Sequence, residues 1–335
     1  MTRLVLLGGG HAHALVLLKL REFVSKNLAV SLVTPSRVHV YSGMVPGVVA
    51  GHYSVAEAQI DLARLATRAG VELVLGSVRS LDTAAKQVVL ASGDAISYDV
   101  ASLNLGSKAN SVKPFEKFIA HWQELLQRPP DARRIAVVGA GAGGVELAMA
   151  MKFAFDQQGS GGSVELFTDR LVFPPDVAAR IRRALEGLSI PLHLSTAAPA
   201  GFDATFLVTG ASALPLLRES GIKTDARGYV LVDAGLRSVS HPDVFAAGDN
   251  ASLQGHDLPK SGVYAVRQGA VLAENLKRVV RGMPMLDYVP QESSLSLLSC
   301  GAKYAIASRG GWSAEGGWVW QWKNWVDRRW IAKFR

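Results

Sequence analysis

An α/β architecture of two Rossmann-like dinucleotide-binding units with a small C-terminal segment is the fold this sequence predicts, and three observations predict it. Residues 134–149, RIAVVGAGAGGVELAM, run an apolar strand into Gly139, Gly141 and Gly144 and then into a helical stretch, which places a GxGxxG between a strand and a helix. The chain also opens with an apolar run, residues 4–7, that enters Gly8, Gly9 and Gly10, a second strand-to-glycine turn. With 335 residues, 49% of them hydrophobic and 19% charged, there is enough chain for two sizeable cores. In such a turn the first glycine bends the backbone, the second lets a pyrophosphate approach it, and the third lets helix and strand pack closely. The helix that follows offers unpaired N–H groups and the positive end of its dipole to the phosphates.

In chain order, residues 1–7 read as the first strand, 13–24 as its helix with Leu15, Leu18 and Phe23 apolar, and 29–33 as the second strand. An acidic residue ordinarily ends that second strand and holds the adenosine ribose, but here the positions are Thr34, Pro35 and Ser36. The third glycine is also replaced, by His13, which crowds the helix start. His11 and His13 stand near any phosphate bound at this turn, and both also fit as hydrogen-bonding loop residues. Residues 38–51, VHVYSGMVPGVVAG, form an apolar, glycine-punctuated segment suited either to lining a flat ring or to a buried loop. Residues 71–78 and 87–90 read as short strands, and 100–105 as a buried strand ending at Gly106 and Ser107. A linker and helix over 111–130, closed by Pro129 and Pro130, separates the first nucleotide unit from the second.

In the second unit, residues 135–138 are the buried parallel strand and 145–155 the Ala/Met-rich helix. A turn over 159–162 leads to a strand over 163–167 that ends at Thr168, Asp169 and Arg170. Asp169 suits a ribose-binding carboxylate after a long helix, whereas Arg170 suits a 2′-phosphate, so NADH and NADPH both stand open. A helix over 175–188, a strand over 192–194 and a buried strand over 202–210 ending in Thr209 and Gly210 follow. After residues 230–232 and the turn His241-Pro242, residues 244–250, VFAAGDN, form a strand and acidic turn. Residues 262–275 read as a helix with Val263, Val266 and Ala270 on one face.

Charge and cysteine content narrow the function. A net charge of +8 suits anionic nucleotides or an anionic membrane surface, and equally a solvated basic surface. Cys300 is the single cysteine, so a disulfide framework and a CxxC redox pair within one chain are both excluded. No apolar run reaches the ~18 residues of a spanning helix, and the glycines after residue 7 interrupt what would be a signal peptide. The expected location is the cytoplasm, in solution or peripherally on a membrane. No metal site is expected.

GGGHAH, YDVASLNLGS, VVGAGAGGVELA and VFAAGDN, in this order, resemble the pyridine nucleotide-disulfide oxidoreductases, two-dinucleotide flavoproteins of glutathione-reductase-like fold. The resemblance covers roughly residues 3–280. Within that superfamily the chain resembles the cysteine-free type II NADH:quinone oxidoreductases and, through HVYSGMVPGVVAGHYS, the flavoprotein module fused to selenide, water dikinase, whose kinase portion has no counterpart here. The resemblance implies an FAD-binding domain over 1–107 and 236–290, an NAD(P)H-binding domain over 108–235, and a C-terminal interface or membrane-association segment over 291–335. It implies that Gly8 and Gly10 hold the FAD pyrophosphate, with His11 and Thr34 nearby, and that Gly248 and Asp249 meet the ribityl or phosphate part of FAD. The helix from Gly262 would point at the flavin pyrimidine, with Lys260 just before it tuning the reduced flavin; a solvated loop cation is the other reading of Lys260. Gly139, Gly141 and Gly144 would cradle NAD(P)H, with Asp169 on its ribose and Glu146 on the nicotinamide side, unless Glu146 is only a dipole-stabilised helix carboxylate. Gly106 and Gly210 would be crossover turns. Disulfide and sulfide:quinone chemistries need cysteines absent here, and Cys300 reads as a buried small hydrophobe.

The tail adds one feature. Six of the seven tryptophans lie between Trp312 and Trp330, and Lys323, Arg328, Arg329, Lys333 and Arg335 face only Asp327 in the last 18 residues. On a helix Val319, Trp322, Val326 and Trp330 share a face, which suits a membrane interface, packing on the flavin domain, or a homodimer contact. The expectation is an NAD(P)H dehydrogenase that passes electrons through FAD to a quinone-like acceptor. A reductase of a soluble acceptor, with a link to selenium metabolism, and a nucleotide-binding regulator with little turnover are the alternatives. A nucleic-acid partner is not expected, for want of a motif.

Overall fold

The structure, a computed structural model, describes residues 1–22, 27–108, 112–159, 161–195 and 197–335. Phe23, Val24, Ser111 and the middle of the 159–162 turn lie outside the described residues. Five parallel strands make the first sheet, in the spatial order Val244–Ala246, Val100–Leu103, Thr2–Leu7, Leu28–Thr34, Glu72–Leu75. Its central strands are continuous apolar runs because both faces are covered; Leu4, Leu6, Leu7 and Leu32 are fully buried. The helix His11–Leu20 packs on this sheet against the helix Gly262–Val280. There an added Cβ on Gly269 would lie 2.7 Å from the Ala12 Cα, so only glycine permits the approach.

Four parallel strands make the second sheet, in the order Leu192–Leu194, Ser163–Thr168, Arg134–Val138, Ala204–Leu207, with the helix Ala142–Gln157 on one face. The chain leaves the first unit and returns to it along paired crossovers: Lys108 bridges Ser212, two residues beyond Gly106 and Gly210 respectively. A three-stranded antiparallel sheet, Ser296–Ser299, Ala305–Arg309 and Trp312–Gly316, then precedes the C-terminal helix Gly317–Ala332. Two glycine turns on two parallel sheets are the architecture the sequence predicts.

Several local expectations need correction. The first helix runs His11–Leu20 rather than 13–24. Residues 71–78 are not one strand. Glu72–Leu75 joins the parallel sheet, the chain turns at Gly76, and Val78–Asp82 starts an antiparallel sheet with Gln87–Leu90 and Ala95–Ser97. Residues 38–51 are neither loop nor lining alone but a strand, Val38–Val40, a 3₁₀ turn and a short helix, Val45–Val49, with Pro46 in its first turn. The strand within 202–210 is Ala204–Leu207, an edge strand that alternates buried and exposed residues, because only one neighbour covers it. The helix from Gly262 turns Val263 and Ala270 outward, and buries Tyr264, Ala265, Gln268, Leu272 and Leu276.

Candidate functional site

The two glycine turns repeat one geometry. Gly8 has φ +93° and Gly139 φ +107°, conformations that L residues avoid. Gly10 and Gly141 each precede a helix with extended backbone, at φ −71° and −70°. The Gly8 N–H donates to the Val33 carbonyl at 2.8 Å, and the Gly139 N–H donates to the Phe167 carbonyl at 2.7 Å. The third positions differ. An added Cβ on Gly144 would sit 1.8 Å from the Gly139 carbonyl oxygen, so this turn requires glycine there. In the first turn His13 is accommodated by a hydrogen bond: its Nδ1 donates to that same first-glycine carbonyl, Gly8 O, at 2.7 Å. The remaining Nε2 accepts from the Ser102 hydroxyl at 2.8 Å, and burial lowers the ring's pKa to about 4, which keeps it neutral.

The expected cofactor residues of the first unit converge at the C-terminal edge of its sheet. Asn104 ties them together: its Oδ1 accepts the Ala12 and His13 N–H groups at 3.2 and 3.3 Å, and its Nδ2 donates to the Ala247 carbonyl at 2.7 Å. Gly248, at φ +76°, donates its N–H to Gln268 Oε1 at 2.6 Å, and the Gly106 N–H donates to Asn250 Oδ1 at 3.3 Å. Asp249 pairs with Lys113 at 3.2 Å. An added Cβ on Gly9 would lie 3.1 Å from Thr34 Oγ1, and one on Gly262 would lie 3.6 Å from Ser42 Oγ, which places Thr34 and the 262 helix start at this edge too. His11 is buried; its Nδ1 lies 3.4 Å from His39 Nε2, and its own Nε2 has no hydrogen-bond partner among the described residues. Lys260 turns its amine to the Ala251 carbonyl and sits 4.1 Å above the Tyr229 ring, where burial lowers its pKa to about 8. It is therefore a half-buried loop cation on the flank of this edge.

In the second unit nothing lies within 4 Å of a Cβ added to Gly141, so the start of the helix Ala142–Gln157 faces open space, as a pyrophosphate cradle requires. Gly106 on the first unit's crossover is open in the same sense. Asp169 follows the strand Ser163–Thr168, and its Oδ1 accepts the Arg170 N–H at 2.8 Å. Gly210 is exposed beside the crossover pair. The residues present thus fit two dinucleotides, one on each sheet.

Glu146 lies on the second turn of that helix, half-buried, and accepts the Ser299 N–H at 2.8 Å. Burial pushes its carboxyl up to about 7, against the pull of Lys323. Lys323 belongs to the C-terminal helix, and the tail reading needs correction at this point. Its buried face carries Val319, Trp320, Lys323, Asp327 and Trp330, while Trp322 and Val326 are only half-buried. Lys323 Nζ donates to Asp327 Oδ2 and to the Gly43 carbonyl, both at 2.8 Å, with its side chain 10% exposed and that of Asp327 5%. Tyr41 donates its hydroxyl to Asp327 Oδ1 at 3.2 Å, and Tyr53 donates to Asn324 Oδ1 at 2.9 Å. Burial raises Asp327 above its ordinary value, and Lys323 stays charged through Glu146 and Asp327. The tail therefore packs on the segment over 38–53, where the buried pair of Lys323 and Asp327 meets Tyr41 and lies within the electrostatic reach of Glu146. Cys300 is buried, its thiol pushed up to about 12, as the hydrophobe reading expects.

The sequence reading missed Asn104, Gln268, Lys113, Tyr41, Lys323 and Asp327. The last two stand four apart, in step with Val319 and Trp330, and that spacing was the available signal.

A family model described as pyridine nucleotide-disulphide oxidoreductase matches residues 2–204 and 200–269. The alternative NAD(P)H-ubiquinone oxidoreductase C1 of Arabidopsis thaliana is 24% identical over 358 residues, across 85% of this chain and 69% of that protein. Ferroptosis suppressor protein 1 of Taeniopygia guttata is 23% identical over 273 residues, across 71% of each. Among solved structures, the sulfide:quinone oxidoreductase of Aquifex aeolicus superposes with a TM-score of 0.80 at 16% identity, across all of this chain and 92% of that one. NDH2 of Plasmodium falciparum in complex with NADH gives 0.79 at 13% identity, across 99% and 97%. At these identities the two structures speak for the fold.

Proposed function

The chain belongs to the pyridine nucleotide-disulphide oxidoreductase family, and from that premise we propose that it is an FAD-dependent NAD(P)H dehydrogenase that delivers electrons to a quinone-like acceptor without redox cysteines. Bound FAD supplies the two-electron relay between nicotinamide and acceptor. The rest is the work of this chain's residues. Gly8, Gly10, Gly106, Gly248, Asp249 and Gly262 line the FAD edge, and Gly139, Gly141, Gly144 and Gly210 line the nicotinamide nucleotide's edge. Asp169, fixed by the Arg170 N–H, takes the ribose hydroxyls, so NADH is the preferred donor.

The observation that carries the acceptor is the buried pair of Lys323 and Asp327, with Tyr41 bonded to it and Glu146 coupled to it by charge. A quinone that gains two electrons must also gain two protons, of which one arrives with the hydride that the nicotinamide gives up and the other must come from an acid of the protein that water reloads. Glu146, pushed up to about 7, is protonated in about half of the molecules at neutral pH and is half-buried, so it can give that proton to an acceptor oxygen bound against it. Lys323, charged, buried and coupled to Glu146 through charge, stabilises negative charge on that oxygen until the proton arrives.

Anaerobic mixing with NADH tests this. The yellow protein should bleach, faster with NADH than with NADPH, and a water-soluble quinone should restore the colour. Bleaching without quinone-dependent recovery overturns the quinone in favour of a soluble acceptor. Failure to bleach with either nucleotide overturns the enzyme reading.

A lipid-soluble quinone places the enzyme at a membrane, and the C-terminal helix supports that. No helix among the described residues is long and apolar enough to cross one. Opposite its buried face, however, Trp318, Trp322, Trp325, Arg329 and Lys333 form one stripe, with Trp318 and Trp325 each 57% exposed. Aromatic rings and cations in that arrangement suit the headgroup layer of an anionic bilayer. Because the tail also closes the site, truncation would confound the test, so the outward residues are the ones to change. Replacing Trp318, Trp325 and Arg329 together with Ala should lower co-flotation with phosphatidylglycerol vesicles by about tenfold, and high salt should weaken the parent's binding. Equal recovery of variant and parent removes the membrane contact.

A further inference from the structure

Lys113 lies 136 residues from Asp249 in sequence, in the segment that leaves the first unit, yet its Nζ stands 3.2 Å from Asp249 Oδ2 and 3.5 Å from Ser107 Oγ. Asp249 is the less exposed partner, at 16% against 39%. An ion pair this open contributes little to stability. Its position is what matters, because it joins the acidic turn Gly248–Asn250 to the crossover just beyond Gly106. The ammonium is also felt at the other glycine-turn component. His11 and His39 are kept neutral chiefly by burial, and the Lys113 charge adds to that effect at both.

This edge has an electrostatic conflict. The helix His11–Leu20 turns the positive end of its dipole to this edge, with two of its first N–H groups already held by Asn104 Oδ1, and a carboxylate, Asp249, stands on the same edge as the anionic pyrophosphate that the dipole would attract. Two like charges in one partly desolvated site repel unless a cation lies between them.

We propose that Lys113 is a positioning residue of the FAD site, which holds the Asp249 carboxylate in place and offsets its repulsion of the cofactor's phosphates. Charge and reach are both required, so Arg should replace it and a neutral isostere should not. The proposal rests on FAD as the cofactor and is independent of the acceptor.

FAD titrated into the deflavinated full-length chain, followed by flavin fluorescence, provides the test. Lys113→Met should raise the Kd for FAD by about tenfold or more, and Lys113→Arg should stay within about threefold of the parent. In an Asp249→Asn background, where the carboxylate charge is gone, Lys113→Met should change the Kd by less than about threefold. A parental Kd for Lys113→Met, or the same loss in both backgrounds, overturns the proposal. Rescue by Arg separates a loss of charge from a misfolded variant. A parent chain that takes up no FAD at all would instead overturn the cofactor reading.

Discussion

Replacing Glu146 with Gln is expected to lower quinone-dependent turnover by about 10²-fold while flavin bleaching by NADH stays within about threefold, because loss of a positioned proton donor costs that much and binding does not depend on it. The substitution is conservative for the fold: the Gln carbonyl oxygen can still accept the Ser299 N–H that Glu146 accepts at 2.8 Å. The pH profile supplies the sign. With the carboxyl pushed up to about 7, the proton-bearing form dominates below that pH, so turnover in the parent should fall as pH rises through about 7, and the variant should lose that limb. Stability should follow the same group. The folded value lies above the ordinary 4.5, so the folded chain holds this proton more tightly than the unfolded one. Its contribution is complete below about 4.5 and is lost as pH rises to about 7. Gln cannot ionise, so the variant should lose less stability than the parent between pH 5 and 8. Steady-state rates across that range check the first claim and denaturant melts check the second. A variant whose quinone-dependent rate matches the parent's removes Glu146 as the proton source.

Much of this site was legible in the chain because the parts that bind dinucleotides are local. A strand, three glycines and a helix are contiguous, and their backbone geometry follows from residue type, which is why the turn at Gly139, Gly141 and Gly144 could be expected without a structure. The first turn was legible despite His13, because the histidine satisfies the turn's own carbonyl instead of breaking it. What sequence could not supply was the partnership across distance. Lys323 reads as one of several tail cations, and only the fold brings it to the Gly43 carbonyl, 280 residues away. The tail's amphipathic pattern was equally ambiguous, since Trp occurs on both faces of the helix. Burial selected Val319, Lys323, Asp327 and Trp330, a stripe that polarity alone argues against. The split of residues 71–78 at Gly76 escaped notice for a related reason: two strands of unlike sheets, end to end, share one apolar pattern.

The Lys323–Asp327 pair yields the second large effect, and its logic separates structure from chemistry. Removing one partner of a buried ion pair leaves the other uncompensated, at a cost of about 3–5 kcal/mol, whereas replacing both with apolar residues of similar volume is often neutral. Lys323→Met removes the cation shared by Asp327 and Glu146, and leaves the buried Asp327 and the half-buried Glu146 without that positive charge. Both can escape only by taking protons. The single variant should therefore be destabilised by about 3–5 kcal/mol at pH 8 and by less at pH 5, as denaturant unfolding followed by tryptophan fluorescence would record. Lys323→Met with Asp327→Leu should recover most of that stability, since the Gly43 carbonyl and the Tyr41 hydroxyl lose a hydrogen-bond partner and Glu146, which loses the Lys323 charge, can take a proton instead. Quinone-dependent turnover should remain low in the double variant, because the buried charge that steadies the acceptor oxygen is absent. A double variant that regains both stability and turnover would show the pair to be a packing device, and would leave Glu146 as the cluster's one chemical contributor. A single variant as stable as the parent at pH 8 would mean that the two acids never depended on the lysine.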